Sequence, residues 1–134
     1  MSGQVPPPLQ RFVAEKVVLL QTRKRDGSWV DTPVNIAVQG QRAFFRTPGL
    51  ASKNKRLRNF PEVQFCPSTW RGKPTGPPVR AAARRLSGEE SAAAGRLISR
   101  KYPLLQRILV PLTHRLMRTE TVHYQLTDVR ELPD

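Results

Sequence analysis

The residues best suited to chemistry lie between Thr47 and Arg58, in the order Thr-Pro-Gly-Leu-Ala-Ser-Lys-Asn-Lys-Arg-Leu-Arg. A Pro-Gly bend ends one segment there, and Ser52 is placed to cap a short helix over Lys53–Asn59, which Pro61 ends. The start of a helix presents backbone N–H groups and a partial positive charge, which suits a phosphate. Lys53, Lys55 and Arg56 fall in the first turns, where cations oppose the helix dipole, and a bound anion relieves that conflict. The bland alternative is a solvated basic helix, and the two readings are nearly balanced on the residues alone.

A second candidate is Thr32-Pro33-Val34. Proline inside a strand removes one ladder donor, a loss tolerated at an edge or a bulge. Backbone left unpaired there can face a planar ring, or it can simply be an edge strand. The loop Trp70-Arg71-Gly72-Lys73 either covers a ligand or forms a surface turn with an apolar anchor.

Other chemistry finds little support. His114 and His123 stand far from any nucleophile motif, so nothing favours a hydrolytic triad. No His/Cys set has metal-ligand spacing, and no bound metal is expected. Neither GxGxxG nor a P-loop occurs.

The elements that must position these residues are legible from periodicity. Residues 1–8, ending in three prolines, read as a flexible arm, and 9–134 as one domain whose first helical turns fall in Leu9–Glu15. Lys16–Thr22 is a strand-length apolar run, followed by the turn signal Asp26-Gly27. Trp29–Gln39 alternates, with Val34, Ile36 and Val38 on one face, and Arg42–Thr47 is a third strand. Glu62–Pro67 alternates again, Ser68–Pro78 is a Gly/Pro-rich loop, and Val79–Leu86 reads better as strand than as helix. Ser87-Gly88-Glu89-Glu90 is a capping box opening a helix to about Lys101. Pro103 starts a second helix with leucines at helical spacing, divided at Pro111, and Thr121–Leu126 is a closing strand. Closure into a barrel removes the edges that an open meander would expose.

The chain has 134 residues, enough for one core, and carries 23 Lys and Arg against 10 Asp and Glu, a formal net charge of +13. Such a field draws anions, whether nucleic acid, an acidic membrane surface or a charged small molecule. A single cysteine, Cys66, excludes an internal disulfide, and no apolar run is long enough to span a membrane. The expectation is a cytoplasmic protein.

Together these segments resemble the pyridoxamine-phosphate-oxidase-like and flavin-reductase-like superfamily. They are most similar to its small actinobacterial branch of coenzyme F-420 (deazaflavin)-dependent oxidoreductases. The resemblance rests on Thr22-Arg23-Lys24-Arg25-Asp26-Gly27, then Thr32-Pro33-Val34, then Thr47, then Ser52 through Pro61. Arg71-Gly72 and Ala83-Arg84 follow in order, so the likeness runs from about Phe12 to about Thr127. It implies a mainly β split barrel with two or three flanking helices, acting as a homodimer with cofactor clefts at the interface. It also implies cofactor binding by Lys53, Ser52, Lys55, Arg56 and Thr47, a ring beside Thr32, Pro33 and Val34, and a contact from Arg71. The superfamily's helix often begins Ser-Arg-Lys, whereas here the cations are spread as Ser52-Lys53-Asn54-Lys55-Arg56, which makes Lys53 the firmest choice.

The implied function is hydride transfer between F-420 and a small organic acceptor, with no acid or base assigned. FMN is the alternative cofactor, and a haem- or tetrapyrrole-binding barrel is a further alternative. A basic nucleic-acid-binding protein is a rival from another class, served by the acid-free stretches Arg42–Arg58, Arg71–Arg85 and Arg96–Arg118. Few aromatics interleave with those cations, which disfavours nucleic acid. The leucine-rich, basic Arg96–Arg118 segment also suits a weak contact with an anionic membrane surface.

Overall fold

The computed structural model describes residues 4–49, 51–102 and 121–132. The helix expected from Pro103, its division at Pro111, His114 and most of Arg96–Arg118 lie outside them.

Six antiparallel strands close into a barrel. Strand β1 (Val17–Arg23) turns at Asp26-Gly27 into β2 (Trp29–Gln39). Gly27 has a φ of 88°, and the Asp26 carboxylate accepts bonds from the Ser28 backbone and hydroxyl. A turn at Gly40 leads to β3 (Arg42–Pro48), followed by helix α2 (Ser52–Asn59), β4 (Glu62–Pro67) and β5 (Val79–Arg85). Helix α3 (Gly88–Lys101) precedes the last strand, β6 (Thr121–Glu131), which pairs with both β3 and β5. Around the barrel the order is β1-β2-β3-β6-β5-β4, with β4 closing onto β1. The first helix, α1, spans Pro7–Gln10, beginning two residues inside the stretch expected to be an arm and running into the expected helical turns, and Val5 of that stretch packs on the core.

The inward faces follow from strand alternation. Val18, Leu20, Ile36, Phe45, Val63, Phe65, Val79, Tyr124 and Leu126 form one buried cluster, completed by Leu9 of α1, Phe12 in the turn after it and Leu57 of α2. Phe45 stacks on Tyr124 at 5.1 Å, and Phe12 meets Phe65 at 4.7 Å. A second cluster lies outside the barrel, where α3 lays Ala94, Ile98 and Tyr102 over Ala37 and Phe44. Ala37 is therefore buried although it lies on the face of β2 opposite Ile36.

Two local expectations differ from the structure. Ala51, not Ser52, holds the cap position of α2, and no side chain caps that helix; Ser52 is the first helical residue and is exposed. The chain enters the helix one residue earlier because the Ala51 N–H already bonds the Pro48 carbonyl. At α3, Ser87 does hold the cap position, but its side chain makes no cap bond. Glu90 turns instead to Arg84 at 2.8 Å, and Glu89 to Arg96 at 2.9 Å, so arginines outcompete the capping geometry.

The end of α3 is locked to the barrel by polar contacts. The Tyr102 hydroxyl lies 2.6 Å from the Ile36 carbonyl and 2.8 Å from that of Lys16, while the Lys101 amine donates to the carbonyls of Glu15 and Ile36. Burial pushes the Tyr102 hydroxyl up to about 12, so it stays protonated and donates throughout the ordinary pH range. No helix among the described residues is long and apolar enough to cross a membrane. Tyr102→Phe should destabilise the protein by about 1 to 2 kcal/mol through loss of a buried donor. A lower urea midpoint at unchanged slope would show it, whereas an unmoved midpoint would mean that Lys101 on Ile36 and Asn35 on Lys16 satisfy those carbonyls without it.

Candidate functional site

The barrel is split on one side, and the hydrogen-bond ladders locate the gap. Strand β2 pairs with β1 over Trp29–Asn35 but with β3 only over Ile36–Gln39. On β3, Arg46, Thr47 and Pro48 pair with β6, and among the described residues β2 has no partner on its β3 side at that level. The first seven residues of β2 are thus an edge strand facing the parted end of β3, and an unpaired edge presents backbone donors and acceptors. Thr32-Pro33-Val34 lies in the middle of this edge.

Helix α2 follows Pro48 and bridges the same region. The Lys53 amine donates to the Thr47 hydroxyl on β3 at 2.8 Å, and Arg56 Nε donates to the Thr22 hydroxyl on β1 at 2.7 Å. β1 and β3 are the two neighbours of β2, so the helix is tied to both flanks of the free edge. Asn54 fixes its entry by donating to the carbonyls of Pro48 and Gly49 and accepting from the Tyr124 hydroxyl at 2.7 Å. Leu57 anchors the helix in the core.

The electrostatics favour an anion. Lys53 is only 8% exposed, and burial first, then the Arg56 charge, lowers its pKa. The partners of both cations are neutral hydroxyls, and among the described residues none of the ion pairs involves α2. A cation desolvated beside a like charge gains from any anion that reaches it. Lys55 and Ser52 lie exposed on the same helix.

The remaining residues named from sequence divide by face. Thr32 shares the inward face with Leu20 and is half-buried, while the Val34 side chain is buried in the core, so Val34 offers a ligand only its backbone. Pro33 points outward with its ladder partner Leu19. Gly72 packs on both: a β-carbon built there would lie 3.3 Å from Pro33 Cγ and 3.7 Å from Leu19 Cδ1. Arg71 is therefore carried to the outer side of the β2 edge by its own turn. Thr47, Lys53 and Arg56 form one group, Thr32 to Val34 a second across the split, and Arg71 a third outside Pro33. Thr22, Asn54 and Tyr124, which orient α2, were not among the site residues named from sequence, although Thr22 and Asn54 lie in the motifs that carry the resemblance. Thr22 had a signal, because alternation puts it on the inward face with Val18 and Leu20.

His123 has a different neighbourhood from the one its sequence position suggests. Ser91 Oγ lies 2.8 Å from its Nδ1, beside an open pocket of about 450 Å³ lined by Arg85, Ser87, Ser91 and His123. Burial and the Arg46 charge lower the His123 pKa. A neighbouring cation is the reverse of the carboxylate that steadies an imidazolium in a hydrolytic triad. No group of three or more potential metal ligands occurs among the described residues.

No family model matches the chain, and none of the curated proteins is similar to it in sequence. Solved structures are similar. A Listeria innocua protein provisionally assigned as a pyridoxamine 5'-phosphate oxidase superposes with a TM-score of 0.62 at 14% identity, covering 94% of this chain and 95% of that one. HutZ, the haem storage protein of Vibrio cholerae, gives 0.61 at 13% identity, covering 97% and 92%. An F420-H2 dependent reductase gives 0.59 at 14% identity, covering 83% and 93%. The chain has the split-barrel fold of the pyridoxamine-phosphate-oxidase-like proteins. At these identities the likeness fixes the fold and leaves the ligand open.

Lys53 also sets a pH dependence. Its folded pKa is below the ordinary 10.5, so the unfolded chain binds more protons between the two values. Its contribution to stability is present above 10.5 and is lost as pH falls through the lowered value. Lys53→Met should flatten the rise of urea stability with pH in the alkaline range just below 10.5. Parallel curves for the two proteins would show that Lys53 titrates as it does in the unfolded chain.

Proposed function

We propose that the protein is an oxidoreductase that binds the deazaflavin coenzyme F-420 at the split and serves hydride transfer to a small organic acceptor. The observation that carries this reading is the pair of α2 cations, Lys53 and Arg56, held by hydroxyls rather than carboxylates at the end of a free strand edge. A phosphodiester fits that arrangement, since it supplies the missing counter-charge and accepts charge-assisted bonds. Lys53, Arg56 and Thr47 would hold the phosphate, with Ser52 and Lys55 at its solvent side. Thr32, Pro33 and the Val34 backbone would border the ring, and Arg71 would approach from outside. When bound, the deazaflavin supplies the hydride chemistry, and the chain supplies binding, orientation and field. The +13 charge favours the more anionic deazaflavin over FMN.

The free β2 edge also calls for cover. In this reading a second copy of the chain provides it, with the cofactor between the two. A cytoplasmic setting completes the proposal and agrees with a lone, buried Cys66. Haem storage in one structural neighbour favours a second reading, a tetrapyrrole in the same split without turnover.

Titration of the purified protein with oxidised deazaflavin, FMN and haemin, followed by fluorescence or absorbance at two salt concentrations, tests these readings. The deazaflavin should bind at least about tenfold more tightly than FMN, more weakly at high salt, and about ten- to a hundredfold more weakly after Lys53→Met, as expected for one lost charge-assisted bond. Preference for haemin would select the second reading. Binding of a random oligonucleotide with steep salt dependence, and of none of the three cofactors, would overturn both.

A further inference from the structure

The turn after β4 presents a feature that the barrel does not require. Thr69 to Gly72 form a β-turn closed by a 2.9 Å bond from the Gly72 N–H to the Thr69 carbonyl, with Trp70 and Arg71 at its tip. Its base is braced by the Thr69 N–H on the Lys73 carbonyl, the Lys73 N–H on the Thr69 hydroxyl, the Thr75 N–H on the Pro67 carbonyl, and a bridge between Ser68 and Pro74. Gly72 has a φ of 86° and lies so close to Pro33 that a β-carbon would crowd it. The positive φ favours glycine, the close approach leaves little room for a side chain, and both fix the turn against the strand whose edge borders the split.

On this braced support Trp70 is 75% exposed, the more open of the two exposed large hydrophobic residues among those described. It is not the anchor of the loop, since Gly72 does the anchoring on Leu19 and Pro33. The Arg71 guanidinium stacks over the indole at 4.8 Å, and Lys73 follows on the same turn. The segment from Ser68 to Pro78 contains no acidic residue. An indole on a braced turn, with a guanidinium on it and with Arg71 and Lys73 as the charged side chains of its own segment, matches a flat π-system bearing negative charge.

We propose that the Thr69–Gly72 turn is a docking wall for a planar, anionic aromatic or quinonoid molecule, which stacks on Trp70 and pairs with Arg71. Its role as the hydride acceptor rests on the deazaflavin reading above, whereas its binding at the turn does not.

The test uses the full chain with Trp29→Phe, which leaves Trp70 as the only tryptophan, and anthraquinone-2-sulfonate as the probe. Quenching of Trp70 emission should saturate, and Arg71→Ala should raise the dissociation constant about tenfold. The uncharged hydroxymethyl analogue should bind more weakly than the sulfonate and respond little to Arg71→Ala. Linear quenching without saturation, or equal affinity for charged and neutral probes, would overturn the proposal. If Trp29→Phe does not fold, the difference in emission between the wild type and Trp70→Phe gives the same readout. In turnover with reduced deazaflavin, Trp70→Ala should raise the KM for the sulfonate about tenfold and leave deazaflavin affinity within twofold of wild type. A protein that binds no deazaflavin but still shows saturable, Arg71-dependent quenching would remove the cofactor reading and leave the docking wall standing. Loss of self-association in Trp70→Ala by sedimentation, without any change in probe binding, would identify the turn as a contact between copies and overturn the proposal.

Discussion

The arrangement of the site depends on where β2 and β3 stop pairing. Their ladder runs only from Ile36–Gln39 to Arg42–Phe45, and beyond it the described residues pair each strand on its other side alone. A fully laddered barrel would satisfy every backbone group internally and leave no edge for a ligand. The parting converts seven residues of β2 into a free edge and leaves Thr47 at the rim, where α2 begins. The gap is made by the same chain that closes the rest of the barrel, so its walls inherit the rigidity of the core behind them.

The second constraint is charge without counter-charge. Among the described residues, the arginines paired with acids all lie elsewhere: Arg80 on Glu62, Arg130 on Glu62 and Asp128, Arg84 on Glu90, Arg96 on Glu89. These pairs are solvent-exposed to varying degrees, and such contacts contribute little to stability. Lys53 is different, because it is buried with a hydroxyl as its partner and with Arg56 beside it. Burying a cation this way costs stability in the free protein, and sites that carry such a cost are commonly functional. Asn54 and Tyr124 make the cost sustainable by fixing the helix that carries the charge.

Much of the fold was legible from alternation and turn chemistry. The six strands follow runs such as Lys16–Thr22 and Glu62–Pro67, and Gly27 adopts the positive φ that its Asp-Gly turn requires. The caps were less legible. Ser52 and Ser87 carry the right residue type, yet neither side chain caps, because one sits a residue inside its helix and the other lost Glu90 to Arg84. Capping competes with nearby charges, and those charges arrive from other strands.

The amino-acid order by itself determined the strand periodicity, the glycine turns, the basic helix after Pro48-Gly49 and the strongly cationic balance, since each follows from local sterics or from composition. It named Lys53, Arg56 and the Thr32–Val34 strand as candidates, but it left open what any of them touches. Only the tertiary structure decided that Val34 turns its side chain into the core, that Lys53 and Arg56 find hydroxyls on the two strands flanking β2, and that Gly72 sets Trp70 and Arg71 beside Pro33. The physical reason is that strand pairing and burial are long-range: which edge stays free and which cation lacks a counter-ion depend on neighbours that closure of the barrel supplies.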